Sequence, residues 1–304
     1  LTHSSLTENI VNVTTDNATK FKFNGWDRYS DEFCQENVDG IRLQDDIVVM
    51  MDGNCQIGLT EISTAFECCP SVDVKLMHDK WIENHMKWIV VKLAAMERSF
   101  PQRFAGRVLT LENFMLQLKY RYEREIDRAE RSAIRKICEM DDVPEKRMIL
   151  YVAGITKNGI DYEVQLSDGW YSLPSILDFG MRRLVDVGRI KIGTKLVIYG
   201  ASTVNLSAGC HPLDVSHYKD NETNDHLISF LNFQVSANVK LKIHANSTRR
   251  ARWDSKLGYC KHPGPFNVSL KSVWGNGGNI TKLRICVLRV YPVVYIDPKN
   301  LSGE

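Results

Sequence analysis

The chain has no run of eighteen apolar residues, so no segment is long enough to cross a bilayer as a helix, and no membrane association is expected. Its eight cysteines, at positions 34, 55, 68, 69, 138, 210, 260 and 286, never fall in a C-x-x-C or paired Cys/His spacing. That excludes the usual zinc modules, and no metal site is expected. A disulfide framework is equally poorly supported. Cys68 and Cys69 are adjacent, and a chain of 304 residues buries enough surface without staples, so reduced and mostly buried thiols are expected. Catalytic signatures are missing too. The eight histidines show no H-E-x-x-H or H-x-E spacing, G-x-S-x-G does not occur, and WGNGGNITK lacks the G-K-[ST] of a phosphate-cradling loop. Neither an enzyme nor a cofactor is expected, and no catalytic residue is nominated. The opening LTHSSLTENI lacks an initiator Met, a basic n-region and an apolar h-region, and reads as an excised terminus rather than a signal peptide.

The composition, 43% hydrophobic and 25% charged, is that of an ordinary globular chain, and the length suggests two cores. A net charge of +2 conceals an asymmetry: residues 1–145 carry 18 basic and 25 acidic side chains, residues 146–304 carry 21 and 12. The second half is the better surface for an anionic partner, nucleic acid or acidic protein, although a merely soluble basic face has the same composition. Eight N-x-S/T sequons keep a secreted glycoprotein open as an alternative.

Residues 1–19 are rich in Thr, Asn and Ser and are expected to form a flexible tail. The stretch IRLQDDIVVMMDGN suggests a small hairpin or an extended segment. Within 73–100, Trp81, His85, Trp88, Ile89, Lys92, Leu93, Met96 and Phe100 recur at helical spacing until Pro101 stops them. A second helix is expected after the N-cap Thr110, carrying Leu111, Phe114, Met115, Leu118, Tyr122 and Ile126 on one side and running to about Met140. Its charged later half interleaves nine bases with eight acids over 119–147 and reads as a solvated, ion-paired surface. After Pro144 the period becomes that of strands: a meander over 148–155, 162–167 and 170–173 with a tight turn at Asp168-Gly169, helical spacing over 175–187 closed by Gly188, a strand at 195–201, and strand signals at 239–244 and 285–296. Three strands, a helix and two strands are the order of a five-stranded Greek-key OB barrel. The expected fold is therefore α+β and multidomain: a mainly α-helical domain over 20–145, then an OB-fold domain over 146–304 with an insertion at about 205–234.

The runs WIENHMKWIVVKLAAMERSFPQRFAGR, LQLKYRYEREIDRAERSAIRKICEMDD, LSDGWYSL, GRIKIGTKLVIYGA and ANSTRRARWDSKLGY, with WGNGGNI and RVYPVVY, resemble the helical domain and first OB fold of the breast cancer type 2 susceptibility protein family. The likeness covers most of residues 21–296 in order. It implies a nuclear mediator of homologous recombination in double-strand break repair, one that places a RecA-family recombinase on single-stranded DNA. It also implies that this part docks a small, very acidic, proteasome-associated protein bearing Trp and Phe. DNA would be held mainly by further OB folds, and the recombinase by F-x-x-A repeats, both outside this chain; no Phe here is followed by Ala three positions later.

For the acidic partner, Trp81, Tyr120 and Tyr122 are the aromatic candidates, although aromatics at helical spacing are as a rule core; Trp88, with Ile89 and Leu93, reads as core. Arg249, Arg250 and Arg252 form the densest basic cluster and suit carboxylate or phosphate equally, or a solvated loop. On the barrel, Tyr151, Trp170 and Tyr171 with Arg189, Lys191 and Lys195 combine stacking faces and positive charge as single-strand binders do. A stand-alone OB module that binds single-stranded DNA is the alternative function, and a packed Trp in a tight turn is the plainer reading of Asp168-Gly169-Trp170. The leading reading requires the two halves to touch and to form a joint dock.

Overall fold

The computed structural model describes residues 8–24, 40–43, 47–159, 161–215 and 239–293. The expected tail is in large part structured: helix α1 (Glu8–Val11) and the segment after it lie on the first long helix. Ile10, Val13 and Ala18 are buried, and the Arg98 guanidinium donates to the carbonyls of Ile10 and Val13 at 2.9 and 2.8 Å. Apolar residues spaced through a polar stretch suffice to anchor it once a cation ties down its carbonyls. Two short antiparallel pairs follow, β1 (Phe23–Asn24) with β4 (Gln56–Ile57) and β2 (Gly40–Arg42) with β3 (Val48–Met50), the latter realising the hairpin alternative.

Helix α2 (Leu59–Glu67) leads to α3 (Trp81–Ser99), which buries residues on both sides. Ile82, Met86, Ile89, Val90 and Leu93 join Phe66 and Phe114 in the first core. Phe100 and Pro101 end α3, Pro101 opening the short α4 (Pro101–Phe104). The loop that follows is organised by Glu97, wholly buried, which accepts from the backbone N–H groups of Gly106, Val108 and Leu109 at 2.7–3.0 Å. Helix α5 (Leu111–Tyr122) starts at Thr110, whose Oγ1 accepts from the Asn113 N–H.

The expected continuation of this helix to about Met140 is corrected. After Tyr122 the chain widens into a single π-helical turn, Glu123–Asp127, and Ala129 at φ +52° leaves helical space. Ser132 then caps a separate helix, α6 (Ala133–Cys138). Its Ile134, Ile137 and Cys138 belong to the second core, with Leu150, Leu166, Leu196 and Leu241, so this helix packs with the barrel although the sequence places it before residue 145.

Strand β5 (Met148–Asn158) pairs antiparallel with β6 (Asp161–Ser167) through a bulge between Val152 and Gly154, and β6 with β7 (Ser172–Leu177). Residues 175–177, read as helical, complete β7; helix α7 (Phe179–Asp186) begins only after Asp178, whose carboxylate accepts from the Met181 N–H, and Gly188 follows it at φ +69°. The next strand is split at Gly200, φ +66°. Its first part, β8 (Lys195–Ile198), pairs with β5; its second, β9 (Ser202–Val204), pairs with β10 (Lys240–Ile243), which lies parallel to β7. The sheet thus curls on itself in the OB order. Strands β11 (Thr248–Arg250) and β12 (Gly258–Tyr259) extend it on β8 and β5. The strand expected at 285–296 is not formed over its described part, 285–293, where Leu288 and Val290 are exposed; residues 294–296 lie outside the described residues, as does 216–234 of the expected insertion. Of the seven cysteines among the described residues, only Cys69 and Cys138 are buried.

Candidate interdomain site and binding surface

The centre of the molecule is a buried carboxylate. The π turn carries Glu125 into the seam between the two cores, where four side chains converge on it. Trp81 Nε1 donates to Oε2 at 2.9 Å and Tyr171 donates its hydroxyl to Oε1 at 2.9 Å. His85 Nε2 lies 3.1 Å from Oε2. Arg135 Nη1 stands 3.0 Å from Oε1, an ion-pair approach without hydrogen-bond alignment. Trp81 and His85 come from α3, Arg135 from α6 and Tyr171 from the β6–β7 turn, so a single carboxylate ties both domains together.

Arg121 supplies a second layer. Its Nη1 donates to His85 Nδ1 at 2.9 Å and its Nη2 to the Gly169 carbonyl at 3.0 Å, with the guanidinium 4.9 Å from the Trp170 ring. A guanidinium can only donate, so Nδ1 is an acceptor and the imidazole carries its proton on Nε2, toward Glu125. Burial, reinforced by Arg121, pushes the His85 pKa down to about 4, and the ring is neutral at pH 7. For Glu125, burial works toward the acid form, but the His85 hydrogen bond, Arg135 and the Trp81 N–H prevail and hold it at about 2. Burial lowers Arg121 to about 10, which leaves it charged. The turn itself is fixed by Asp168, which accepts from Trp170 and Tyr171 N–H groups at 2.9 and 3.0 Å and from the Ile134 N–H at 2.8 Å; Gly169 takes φ +86°. Asn84 closes the seam, donating to the Trp170 carbonyl at 2.8 Å while accepting from Trp88 Nε1.

These contacts reassign several candidates. Trp81 and Tyr122, nominated for partner contact, are core: both are buried, and the Tyr122 hydroxyl accepts from the Asp73 N–H. Tyr151 meets Trp88 edge to face, and Trp170 and Tyr171 also face the helical domain, so none of the three is a bare stacking face on the barrel. Lys195 donates to the Ser255 carbonyl, and Arg249 to the carbonyls of Ala245 and Thr248. Tyr120, half exposed, accepts from Arg124. Arg189, Lys191, Arg250 and Arg252 remain exposed, Arg252 chelating Asp254. The charged run after Lys119 is solvated only in part: Arg124–Glu130 and Arg128–Glu123 are surface pairs, whereas Arg121 and Glu125 are buried. His85, Arg121, Glu125 and Asp168 were not among the candidates, and neither was Trp253, a 74% exposed ring.

Beside the seam is a cleft of about 740 Å³, bordered by Asp16, Lys80, Lys87, Pro212 and Asp214. Near it, potential donor atoms of His78, His211 and Asp214 lie within 4.8 Å of one another. Their hydrogen bonds do not suit a metal. Each imidazole uses Nδ1 to accept a backbone N–H, from Lys80 and Leu213, which puts the proton on Nε2, and His78 Nε2 donates to Asp214 at 2.8 Å.

A helical domain bonded through a buried hub to an OB barrel defines a two-domain α+β module of the helical-plus-OB class. The model of the BRCA2 helical domain matches residues 1–129, and that of BRCA2 oligonucleotide/oligosaccharide-binding domain 1 matches residues 132–261. Two Arabidopsis thaliana proteins, BREAST CANCER SUSCEPTIBILITY 2 homologs B and A, are each 32% identical over 238 residues, 74% of this chain. The chain belongs to the BRCA2 family, carrying its helical and first OB domains, which are non-enzymatic. It spans 19% of the length of each of these relatives.

Proposed function

We propose that this chain is a docking part of a nuclear homologous-recombination mediator in double-strand break repair. Its helical domain and first OB barrel together bind a small acidic proteasome-associated protein. In doing so they support single-stranded DNA binding and loading of a RecA-family recombinase by regions outside the chain. The observation that carries this reading is the Glu125 hub, because a partner laid across both domains gains most when the seam beneath it is already fixed. The basic surplus of residues 146–304, including exposed Arg189, Lys191, Arg250 and Arg252, suits an extended acidic chain, and exposed Tyr120 offers it an aromatic contact on the helical side.

The test is a thermal unfolding series of this chain with a purified acidic proteasome-associated protein. A ligand that binds only the folded state raises the midpoint with concentration; no shift at micromolar partner overturns the proposal. The alternative, a stand-alone barrel that binds DNA, is weakened by the use of Tyr151, Trp170 and Tyr171 against the helical domain.

A further inference from the structure

Two cysteines far apart in sequence meet beside the hub. Cys138 ends α6 and is wholly buried, and Cys210 stands half-buried in the loop that follows β9. The Cys210 N–H donates to the Cys138 carbonyl at 2.9 Å. A backbone bond of that length holds the two Cα atoms about 5–6 Å apart, within the span of about 4.4–6.8 Å that a disulfide bridges. Gly209 allows the close approach: a β-carbon there would stand 2.8 Å from the Glu139 carbonyl oxygen, so any side chain would push the loop off the end of α6. Both cysteines belong to one apolar environment, Cys210 packing against the buried cluster that contains Cys138. Burial pushes the Cys138 thiol up, and the neighbouring Cys210 adds to the effect.

The elements on either side of this pair both reach the seam. His211 stacks on His78 of the helical domain at 4.8 Å and meets Tyr171, a donor to Glu125, edge to face at 5.7 Å. Asp214 accepts from His78, and Pro212, Leu213, Asp214 and Val215 border the interdomain cleft. Helix α6, for its part, places Arg135 against the same Glu125 carboxylate. We infer that Cys138 and Cys210 are a redox pair, joined by a disulfide when the chain meets a hydroperoxide, and that the bond locks the 205–215 loop, one wall of the cleft, against α6. The sulfur of Cys210, the more accessible of the two, attacks one peroxide oxygen; the O–O bond breaks, and the departing hydroxide takes the thiol proton and leaves as water. Cys138 then attacks the sulfenic sulfur, the S–O bond breaks, and its own proton leaves with the hydroxyl as a second water. Two thiols and one peroxide thus give one disulfide and two waters, sulfur oxidised and peroxide oxygen reduced. The buried Cys138 thiol is a poor first target, which fits it to the second step. A reversible pair of this kind is a sensing device rather than the disulfide framework of a small secreted domain. The inference does not rest on the acidic-partner reading.

The experiment is peptide mapping of this chain under non-reducing conditions, after brief exposure to hydrogen peroxide and trapping of the remaining thiols by alkylation. The expected product joins the peptides of Cys138 and Cys210, is lighter than their sum by two hydrogens, and is released by dithiothreitol. Proteolytic cutting within residues 205–215 should slow at least about tenfold in the oxidised chain and recover on reduction. Cys210→Ser should lose both the cross-link and the protection; its unfolding midpoint, matched to that of the reduced parent, shows that the fold is intact. The inference is overturned if exposed Cys68 and Cys286 are oxidised and no Cys138–Cys210 product forms. It is equally overturned if Cys210 ends as a sulfinic acid or bridged to another cysteine, or if the product appears only in urea. A cross-link that leaves cutting of the loop unchanged overturns the locking role. The docking proposal is tested on the reduced chain, so failure of either reading leaves the other standing.

Discussion

His85 and Glu125 meet at 3.1 Å in the seam between the two domains with no exposed surface on either side chain, the imidazole neutral and the carboxylate charged. This neutral-to-charged hydrogen bond avoids placing a third full charge beside Arg121 and Arg135. It also makes the seam sensitive to anything that removes the one negative charge at its centre.

Glu125→Ala is therefore expected to destabilise the chain by about 3–5 kcal/mol, because it takes from buried Arg121 its strongest acidic neighbour and leaves Arg135 with Glu139 alone. Glu125→Gln, which keeps acceptor and shape, should cost less. Urea unfolding followed by tryptophan fluorescence measures both. Equal, near-zero losses would mean that the hub is not what joins the domains.

Acidification should weaken the fold in two stages. The folded pKa of His85 is depressed from 6.5 to about 4, so the unfolded chain binds the extra proton first. Its contribution is fully present above pH 6.5 and is lost as pH falls toward 4. Glu125, depressed from 4.5 to about 2, has the same sign and loses its contribution between those values. Asp168 acts in the opposite sense, since burial raises its carboxyl, and partly offsets the loss near the lower end. Unfolding midpoints from pH 8 to 4 should fall monotonically below about 6.5; a flat profile between 6.5 and 4.5 contradicts a buried neutral His85.

Arg98→Ala removes the donor to the Ile10 and Val13 carbonyls. A loss of about 1–2 kcal/mol is expected. Faster hydrogen exchange and proteolytic cutting should be confined to residues 8–20, while the barrel stays protected. Protection unchanged at the N-terminal segment would show that its apolar contacts hold it alone.

Asp168→Ala leaves two backbone donors in the turn, Trp170 and Tyr171, and a third at the start of α6, Ile134, without their acceptor. The expected loss is about 3 kcal/mol or more, larger than for Gly169→Ala, where a left-handed φ costs about 1–2 kcal/mol. Thermal unfolding of the two variants side by side checks the order.

Much of the fold is legible in the sequence because it rests on local signals. The 3- and 4-residue spacing from Trp81 to Leu93, the Thr110 cap, the Asp168-Gly169 turn and Gly188 after α7 each appear where the pattern places them. The hub is not legible, because its members stand at positions 81, 85, 121, 125, 135 and 171 and converge only in three dimensions. Glu125 and Arg121 lie in a run whose alternating signs match a solvated helix, and no local rule marks the π turn that rotates the carboxylate inward. Trp81 and Tyr122 satisfied the criteria for core and interface alike, and burial decides between them. Trp253 sits in an Arg-rich stretch that draws notice to its charges, whereas its contact with Phe100, 153 positions earlier, forms only in the folded chain.

The π turn at Glu123–Asp127 also sets a counting rule for this stretch of chain. Each residue of a helix advances the side-chain direction by roughly 100°, so removing one position between Tyr122 and Glu125 would swing the carboxylate toward solvent and leave Ile126 facing Arg135. A family member that gained or lost a residue here would need a compensating change within the same turn to keep its two domains joined. Length variation should therefore accumulate in the surface loops and spare this segment.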